Sequence, residues 1–268
     1  MYSQPEHNIE ERNPMIHSIR ARLRSYLQNI SSLRRGSKYL PFENRSNYKE
    51  TWNRLVGNQQ DAYAFVAGHA DEEELERSGQ HTVEILEQFI GIQPNDVVLE
   101  IGCGVGRVGK LLSKRCAKWI GTDISGRMLA VAAERLQGHN NIELIELSTV
   151  GLQEIPDNSV DVVYCTVVFM HLLEWDRHKY IVEGFRVLRH GGRCFFDNVD
   201  ITSEHGWTVF MQGYALPIKS RPAHLSMFST GDELKIYAMK AGFHDVRIHR
   251  WDQAWVSVTG IKPGSPLS

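Results

Sequence analysis

From residue 97 onward the chain alternates short β-rich apolar runs with stretches of helical periodicity, and this alternation restricts the fold more than any other feature. The runs VVLEI (97–101), KWIGTDI (118–124), IELIEL (142–147), SVDVVYCTVVF (159–169) and RCFFDNV (193–199) are mostly apolar along their length. Strands of this kind are covered on both faces, and intervening helices return the chain to the same edge of the sheet, which makes neighbouring strands parallel. Helices are expected from the end of VVLEI to about Ala117, from Gly126 to Gln137, from Trp175 to Leu188 and over GDELKIYAMKAGF (231–243). The final runs DVRIHRW and AWVSVTGI read as a hairpin.

Upstream the periodicity is helical. Between Arg12 and Phe42 the chain has seven basic residues and no acidic one, with Ile16, Ile19, Leu23, Leu27, Ile30 and Leu33 on one face of a helix. Such a basic amphipathic helix packs on the body of the protein, on another protein or a second copy of the chain, or rests on an anionic membrane. KYLPFENRSN is a connector, a second helical region runs from Tyr48 with a break at Gly68, and DEEELERSGQHTVEILEQFIGI has an acid-rich first turn that suits a helix N-terminus. The expected organisation is a helical extension and lid over 1–84 and a body over 85–268, with an insert at 200–230 covering the site.

A net charge of -2 and 23% charged residues give no overall bias toward nucleic acid or anionic membranes, so the expected partner is a small molecule. No apolar run approaches the roughly 20 residues of a membrane span, and the N-terminal residues do not read as a secretion signal. Four separated cysteines without a CxxC pair read as buried, reduced thiols, which suits a cytoplasmic enzyme.

The segment VLEIGCGVGR places glycines at 102, 104 and 106 in the turn from the first strand to its helix, where a ligand approaches the backbone closely. A dinucleotide fingerprint would need Gly or Ala where Arg107 stands, which disfavours a nicotinamide cofactor. With Glu100 ahead of this loop, and with GTDISGRML, LQEIPDNSVDVVYCTVVFMHL and FRVLRHGGRCFF beyond it, the chain resembles class I S-adenosylmethionine-dependent methyltransferases over residues 85–262. The resemblance implies a Rossmann-like doubly wound sheet of about seven strands, mostly parallel with an antiparallel C-terminal hairpin strand, behind an N-terminal helical extension. It also implies that Asp123 accepts from the ribose hydroxyls and that Ile124 and Met128 flank the adenine. The amides of Gly102, Cys103, Gly104 and Gly106 would favour the carboxylate end, and carbonyls near Gly102 and Cys165 would take the ammonium. Arg107 either pairs with a carboxylate or faces solvent. Many relatives carry an Asp near residue 148; LSTVGL stands there, leaving Ser148 or backbone groups of Thr149, Val150 and Gly151 to meet the adenine amine.

Methyl transfer from a sulfonium is an in-line displacement, and a hydroxyl acceptor needs a base or metal to take its proton. His171, just past the fourth strand, is the leading base, with helix capping as its alternative role. Glu174 and Asp176 either orient it and bind substrate or simply suit a helix start. Asp197 and Asn198 resemble part of the magnesium site of catechol-type O-methyltransferases, although no acid stands near Thr166 to complete it. Without a metal, Asp197 and Asn198 would bind substrate directly or fix the loop, and Asp197 is also a catalytic candidate. In the insert, His205, Trp207, Tyr214, Arg221 and His224 suit a polar, ring-shaped acceptor, and MHLLEWDR, DN and GW together resemble bacterial sugar or glycoside O-methyltransferases. Trp52 and Tyr63 read first as core aromatics, with the opposite wall of the site as the alternative. The expected function is methylation of a hydroxyl on a small polar acceptor, with N-methylation of an amine or peptide, or a non-catalytic S-adenosylmethionine-binding scaffold, as alternatives.

Overall fold

The computed structural model describes residues 39–68 and 71–264; most of the basic amphipathic segment, residues 12–38, lies outside the described residues. The expected strands form one sheet: β1 Val97–Ile101, β2 Lys118–Asp123, β3 Ile142–Glu146, β4 Val160–Cys165, β5 Leu188–Val199, β6 His244–Trp251 and β7 Trp255–Ile261. Their order is β3-β2-β1-β4-β5-β7-β6. The five strands β1 to β5 pair in parallel, and β7 runs antiparallel between β5 and β6. The order reverses between β1 and β4, so the carboxyl ends of these two strands part and leave a crevice.

Both faces of the central strands are buried, as their apolar runs require. Leu99, Ile101, Val163, Cys165 and Phe196 belong to one core, while Val98, Trp119, Val162, Tyr164 and Phe195 belong to another. The helices are α1 Tyr48–Leu55, α2 Gln59–Ala67, α3 Glu72–Phe89, the single turn α4 Gly109–Leu112, α5 Gly126–Arg135, α6 Glu174–Val187, α7 Glu204–Ala215 and α8 Gly231–Ala241. Side chains cap several N-termini: Asp71 accepts from the amides of Glu73 and Glu74, Ser125 from Met128, and Thr230 from Glu233. The break at Gly68 is a left-handed cap ending α2, with φ 78°. Helix α3 runs unbroken through residues 84 and 85, so the extension and the body meet inside one helix.

Two expected elements differ. The helix after β1 was expected to reach Ala117 but makes only one α-helical turn, because the backbone there winds into tighter bonds such as Leu111 N to Val108 O and Arg115 N to Leu112 O. Gly109 lies against the Trp119 indole, and a Cβ there would come within 2.4 Å of the ring. The insert is not mainly loop: α7 occupies twelve of its residues, started by Ser203 Oγ accepting from Gly206 N. Gly206, Thr208, Val209 and Gly213 have weak helix propensity, which hid it.

The four cysteines are free and buried. Among the described residues no helix is long and apolar enough to cross a membrane.

Candidate active site

A cleft opens at the carboxyl ends of β1, β2 and β4. Its floor is Glu100 to Gly104; Asp123, Ile124, Met128 and Leu147 form one side, and Thr166, Val167, Val168 and His171 the other. Tyr48 and Trp52 of α1 and Phe65 and Val66 of α2 line it from the extension.

The glycine loop is built for close approach. Gly102, Gly104 and Gly106 have φ of 72°, 53° and 71°, a region that costs other residues strain. A Cβ at Gly102 would lie 2.3 Å from Val168 Cγ2, and one at Gly104 2.8 Å from Val66 Cγ2. The amides of Gly102 and Cys103 both donate to Thr122 O, at 2.8 and 2.9 Å. Asp123 clamps the loop from β2: Oδ2 accepts from Gly104 N and Oδ1 from Ser125 N, each at 2.8 Å. Each oxygen keeps a second lone pair for a ligand. Burial raises the Asp123 carboxyl to about 6. Glu100 accepts from the Tyr164 hydroxyl, which in turn accepts from Trp119 Nε1 at 3.1 Å; burial lifts Glu100 to about 7.

Arg107 is buried at the cleft rather than facing solvent: its Nη1 donates to Ser78 O at 2.6 Å and to Thr82 Oγ1 at 2.8 Å. The guanidinium thus ties α3 to the glycine loop. Gly79 permits this approach, since a Cβ there would come within 2.7 Å of Arg107 O. The sequence signal for that role was a glycine in the middle of a strongly amphipathic helix.

Five expected cofactor residues lie off the lining. Leu147 takes the place expected of Thr149, Val150 and Gly151, and Ser148 N is held by Glu154 Oε1 at 2.8 Å. Cys165 is buried in β4, and the lining begins at Thr166. Gly106 backs onto Leu136 instead of the cleft.

His171 ends a 3₁₀ turn, Phe169–His171, at the cleft wall. Its Nδ1 lies 3.1 Å from His224 O; a carbonyl only accepts, so Nδ1 carries the proton and Nε2 a lone pair. Trp52 meets the imidazole edge-on, with centroids 4.8 Å apart. Burial, with Arg45 and His224 nearby, lowers the His171 pKa to about 3 and keeps the ring neutral. Asp176 Oδ2 accepts from Tyr48 OH at 2.6 Å, and Tyr48 OH accepts from Leu173 N at 3.0 Å, so Asp176 fastens α1 to α6. Glu174 begins α6 outside the lining.

The pairing of Asp197 and Asn198 around magnesium is not supported. Strand β5 continues through both, opposite Ser257 and Val256 of β7, so successive side chains point to opposite faces. Asp197 Oδ1 accepts from Val167 N at 2.8 Å, while Asn198 Nδ2 donates to Ser229 Oγ at 2.8 Å. These two groups cannot converge on one ion, and no cluster of three His, Cys, Asp or Glu suited to a metal occurs among the described residues. Asp197 is fully buried, its Oδ2 has no hydrogen-bond partner, and burial raises the carboxyl to about 7.

The insert divides in two. Residues 222–229 fasten to the body: Arg45 donates to Ala223 O, Leu225 O and Met170 O, and Met227 N donates to Met170 O. His224 is buried here and serves His171 through its carbonyl. Helix α7 packs on this segment through Phe210, whose ring meets Phe228 edge-on at 5.7 Å. His205 and Trp207 on it lie off the cleft lining, as does Arg221, which is turned to Leu216 O and Tyr214 O. Trp52 lines the cleft, whereas Tyr63 turns to Gln59 and Arg135. Phe65, Val66 and Tyr180 on the lining, and the anchor Arg45, carried no sequence signal.

The strand order, the glycine turn after β1 and the acid ending β2 define the class I methyltransferase fold. In agreement, magnesium protoporphyrin IX methyltransferase from Synechocystis PCC 6803, a structure with bound SAH, superposes with a TM-score of 0.59 at 17% identity, over 82% of this chain and 99% of that one. Residues 99–196 match the family described as a methyltransferase domain. The chain is 27% identical over 148 residues to a ubiquinone biosynthesis O-methyltransferase of Pseudomonas fluorescens, covering 54% of this chain and 63% of that protein. It is 30% identical over 149 residues to phosphoethanolamine N-methyltransferase 1 of Caenorhabditis elegans, covering 55% of this chain and 30% of that protein. It therefore spans less than two thirds of either relative's length.

Proposed function

We propose that this chain transfers the methyl group of S-adenosylmethionine to a hydroxyl of a small acceptor. The observation that carries the reading is His171: a neutral imidazole at the cleft wall, with Nδ1 committed to the His224 carbonyl and Nε2 left as an acceptor. The residues fit the cofactor. The cradle at Gly102 and Gly104 would be filled by any Cβ, Asp123 keeps lone pairs for the ribose, and Ile124, Met128 and Leu147 offer an apolar slot for the adenine. Bound there, S-adenosylmethionine supplies an electrophilic methyl. His171 accepts the hydroxyl proton at Nε2 as the new O–C bond forms and the C–S bond breaks. Trp52 and Tyr48, held by Asp176, exclude water from that side.

His205, Trp207 and Arg221, the side chains expected to hold a sugar, stand off the cleft. Trp52 meets His171 edge-on, and Phe65, Val168 and Leu172 line the same cleft, so the reading shifts to an acceptor with a flat apolar body bearing the hydroxyl. The test uses purified protein with phenols, glycosides and amines as acceptors. His171→Ala should lower turnover on the hydroxyl substrate by about 10²–10⁴-fold, with S-adenosylhomocysteine affinity preserved in calorimetry. Unchanged turnover would remove His171 from the reaction, methyl uptake by amines alone would make this an N-methyltransferase, and no turnover on any acceptor would favour a scaffold role.

A further inference from the structure

Among the described residues, Asn158, Val167, Asp245, Asp252 and Gln253 have a left-handed backbone without being glycine. Val167, with φ 64°, is the only β-branched one of these, and it alone of them lines the cleft. A side chain branched at Cβ is crowded in this region, so the conformation persists only where surrounding contacts impose it. The imposing contact comes from the next strand. Cys165 of β4 pairs with Ile101 of β1 and Phe196 of β5, and β4 ends there while β5 runs on through Val199. Val167 lies past that ladder, and its amide donates instead to Asp197 Oδ1 at 2.8 Å. Asp197 is fixed in β5 opposite Ser257 of β7 and fully buried, so this acceptor cannot follow a moving loop. The Val167 amide is its one hydrogen bond among the described residues, since Oδ2 has no partner.

Two features of the cleft depend on the direction the chain takes after Val167. Val168 packs on the glycine loop, with Cγ2 only 2.3 Å from where a Gly102 Cβ would stand. Val168 O also accepts from His171 N at 2.8 Å, closing the turn that carries the imidazole to the cleft wall. A backbone rotation at Val167 would displace both. We propose that Asp197 is a positioning residue: by holding the Val167 amide it keeps the corner after β4 left-handed, and so sets Val168 against the glycine loop and His171 at the cleft wall. Its effect on turnover rests on the proposed role of His171, whereas its effect on the backbone does not.

Asparagine at 197 keeps the Oδ1 acceptor, alanine removes it, and glycine at 167 takes the left-handed conformation without help. The test therefore compares Asp197→Asn, Asp197→Ala and Asp197→Ala/Val167→Gly with the wild type. Hydrogen exchange of the ligand-free proteins should leave the His171 amide protected in Asp197→Asn, about tenfold or more less protected in Asp197→Ala, and protected again in the double variant. S-adenosylhomocysteine affinity in calorimetry and kcat should follow the same order, with the alanine variant lowered about 10–100-fold. A merely structural loss would not be rescued by Val167→Gly, which adds no contact. Wild-type exchange in Asp197→Ala, an asparagine variant as impaired as the alanine one, or a double variant no better than Asp197→Ala overturns the proposal. If Asp197→Ala does not fold, the double variant decides: folded with the His171 amide protected it supports the proposal, and unfolded it overturns it. Wild-type protein that methylates no acceptor would remove the proposed function, while the exchange experiment would still decide the role of Asp197.

Discussion

Asp197 sits where one carboxyl oxygen takes the Val167 amide and the other has no hydrogen-bond partner, at zero exposure. Removing an ionised carboxylate from water without compensation is costly, so the protein holds the proton instead. Its pKa rises from 3.8 to about 7, chiefly through burial, and Glu100 and Asp123 rise to about 7 and about 6 for the same reason. Between about pH 4 and 7 the folded state keeps a proton at Asp197 that the unfolded chain has released, so this group lowers stability as pH rises through that window. His171 and His224 have the opposite sign: lowered to about 3 and about 4, they cost stability as pH falls below 6.5. Asp197→Asn should therefore be most beneficial at alkaline pH, raising the melting midpoint at pH 8 by about 2–4 °C relative to its effect at pH 4. Thermal melts of the ligand-free protein across that range would check the sign.

At the scale of elements, the cleft depends on segments distant in sequence being fastened together. Arg45 holds Met170 O beside His171 together with Ala223 O and Leu225 O of the insert, while the Tyr48–Asp176 bond joins α1 to α6. Hydrogen bonds to a charged donor contribute about 1.5–3 kcal/mol each when buried acceptors would otherwise go unpaired. Arg45→Met keeps the length of the stem and removes the donors. It should lower stability by about 3 kcal/mol and make residues 221–229 newly sensitive to limited proteolysis. Protection equal to wild type would show that the bridge of Pro41 to Pro222 suffices to hold the insert.

Across the whole molecule, the sheet supplies the floor of the cleft and the extension supplies its cover. Val66 lies within contact of where a Gly104 Cβ would stand, and Tyr48, Trp52 and Phe65 line the same space. A ligand in this cleft must therefore contact α1 and α2 as well as the strand ends. Saturating S-adenosylhomocysteine should slow hydrogen exchange in residues 48–68 along with the glycine loop; at about 100 times its dissociation constant it should add about 2.7 kcal/mol of stability. Protection confined to residues 100–128 would show that the extension takes no part in holding the ligand.

The sequence by itself determined the sheet, the glycine turn and Asp123, because these depend on local chemistry: apolar runs of strand length, φ values that only glycine adopts readily, and a carboxylate at a strand end. It also placed His171 after β4, a helix from Gly126 and an acid-rich helix start in DEEEL, since these signals come from near neighbours. Local propensity was insufficient where partners come from afar. It could not show that α4 would shrink to one turn against Trp119, that Arg107 would turn inward to α3, or that Asp176 would serve Tyr48. It grouped Asp197 with Asn198 by adjacency, and pairing of β5 with β7 sent their side chains to opposite faces. It gave Trp207 to the acceptor, and packing left that residue on an outer face. Side-chain direction and burial depend on which distant segments meet, and that was decided only by the tertiary structure.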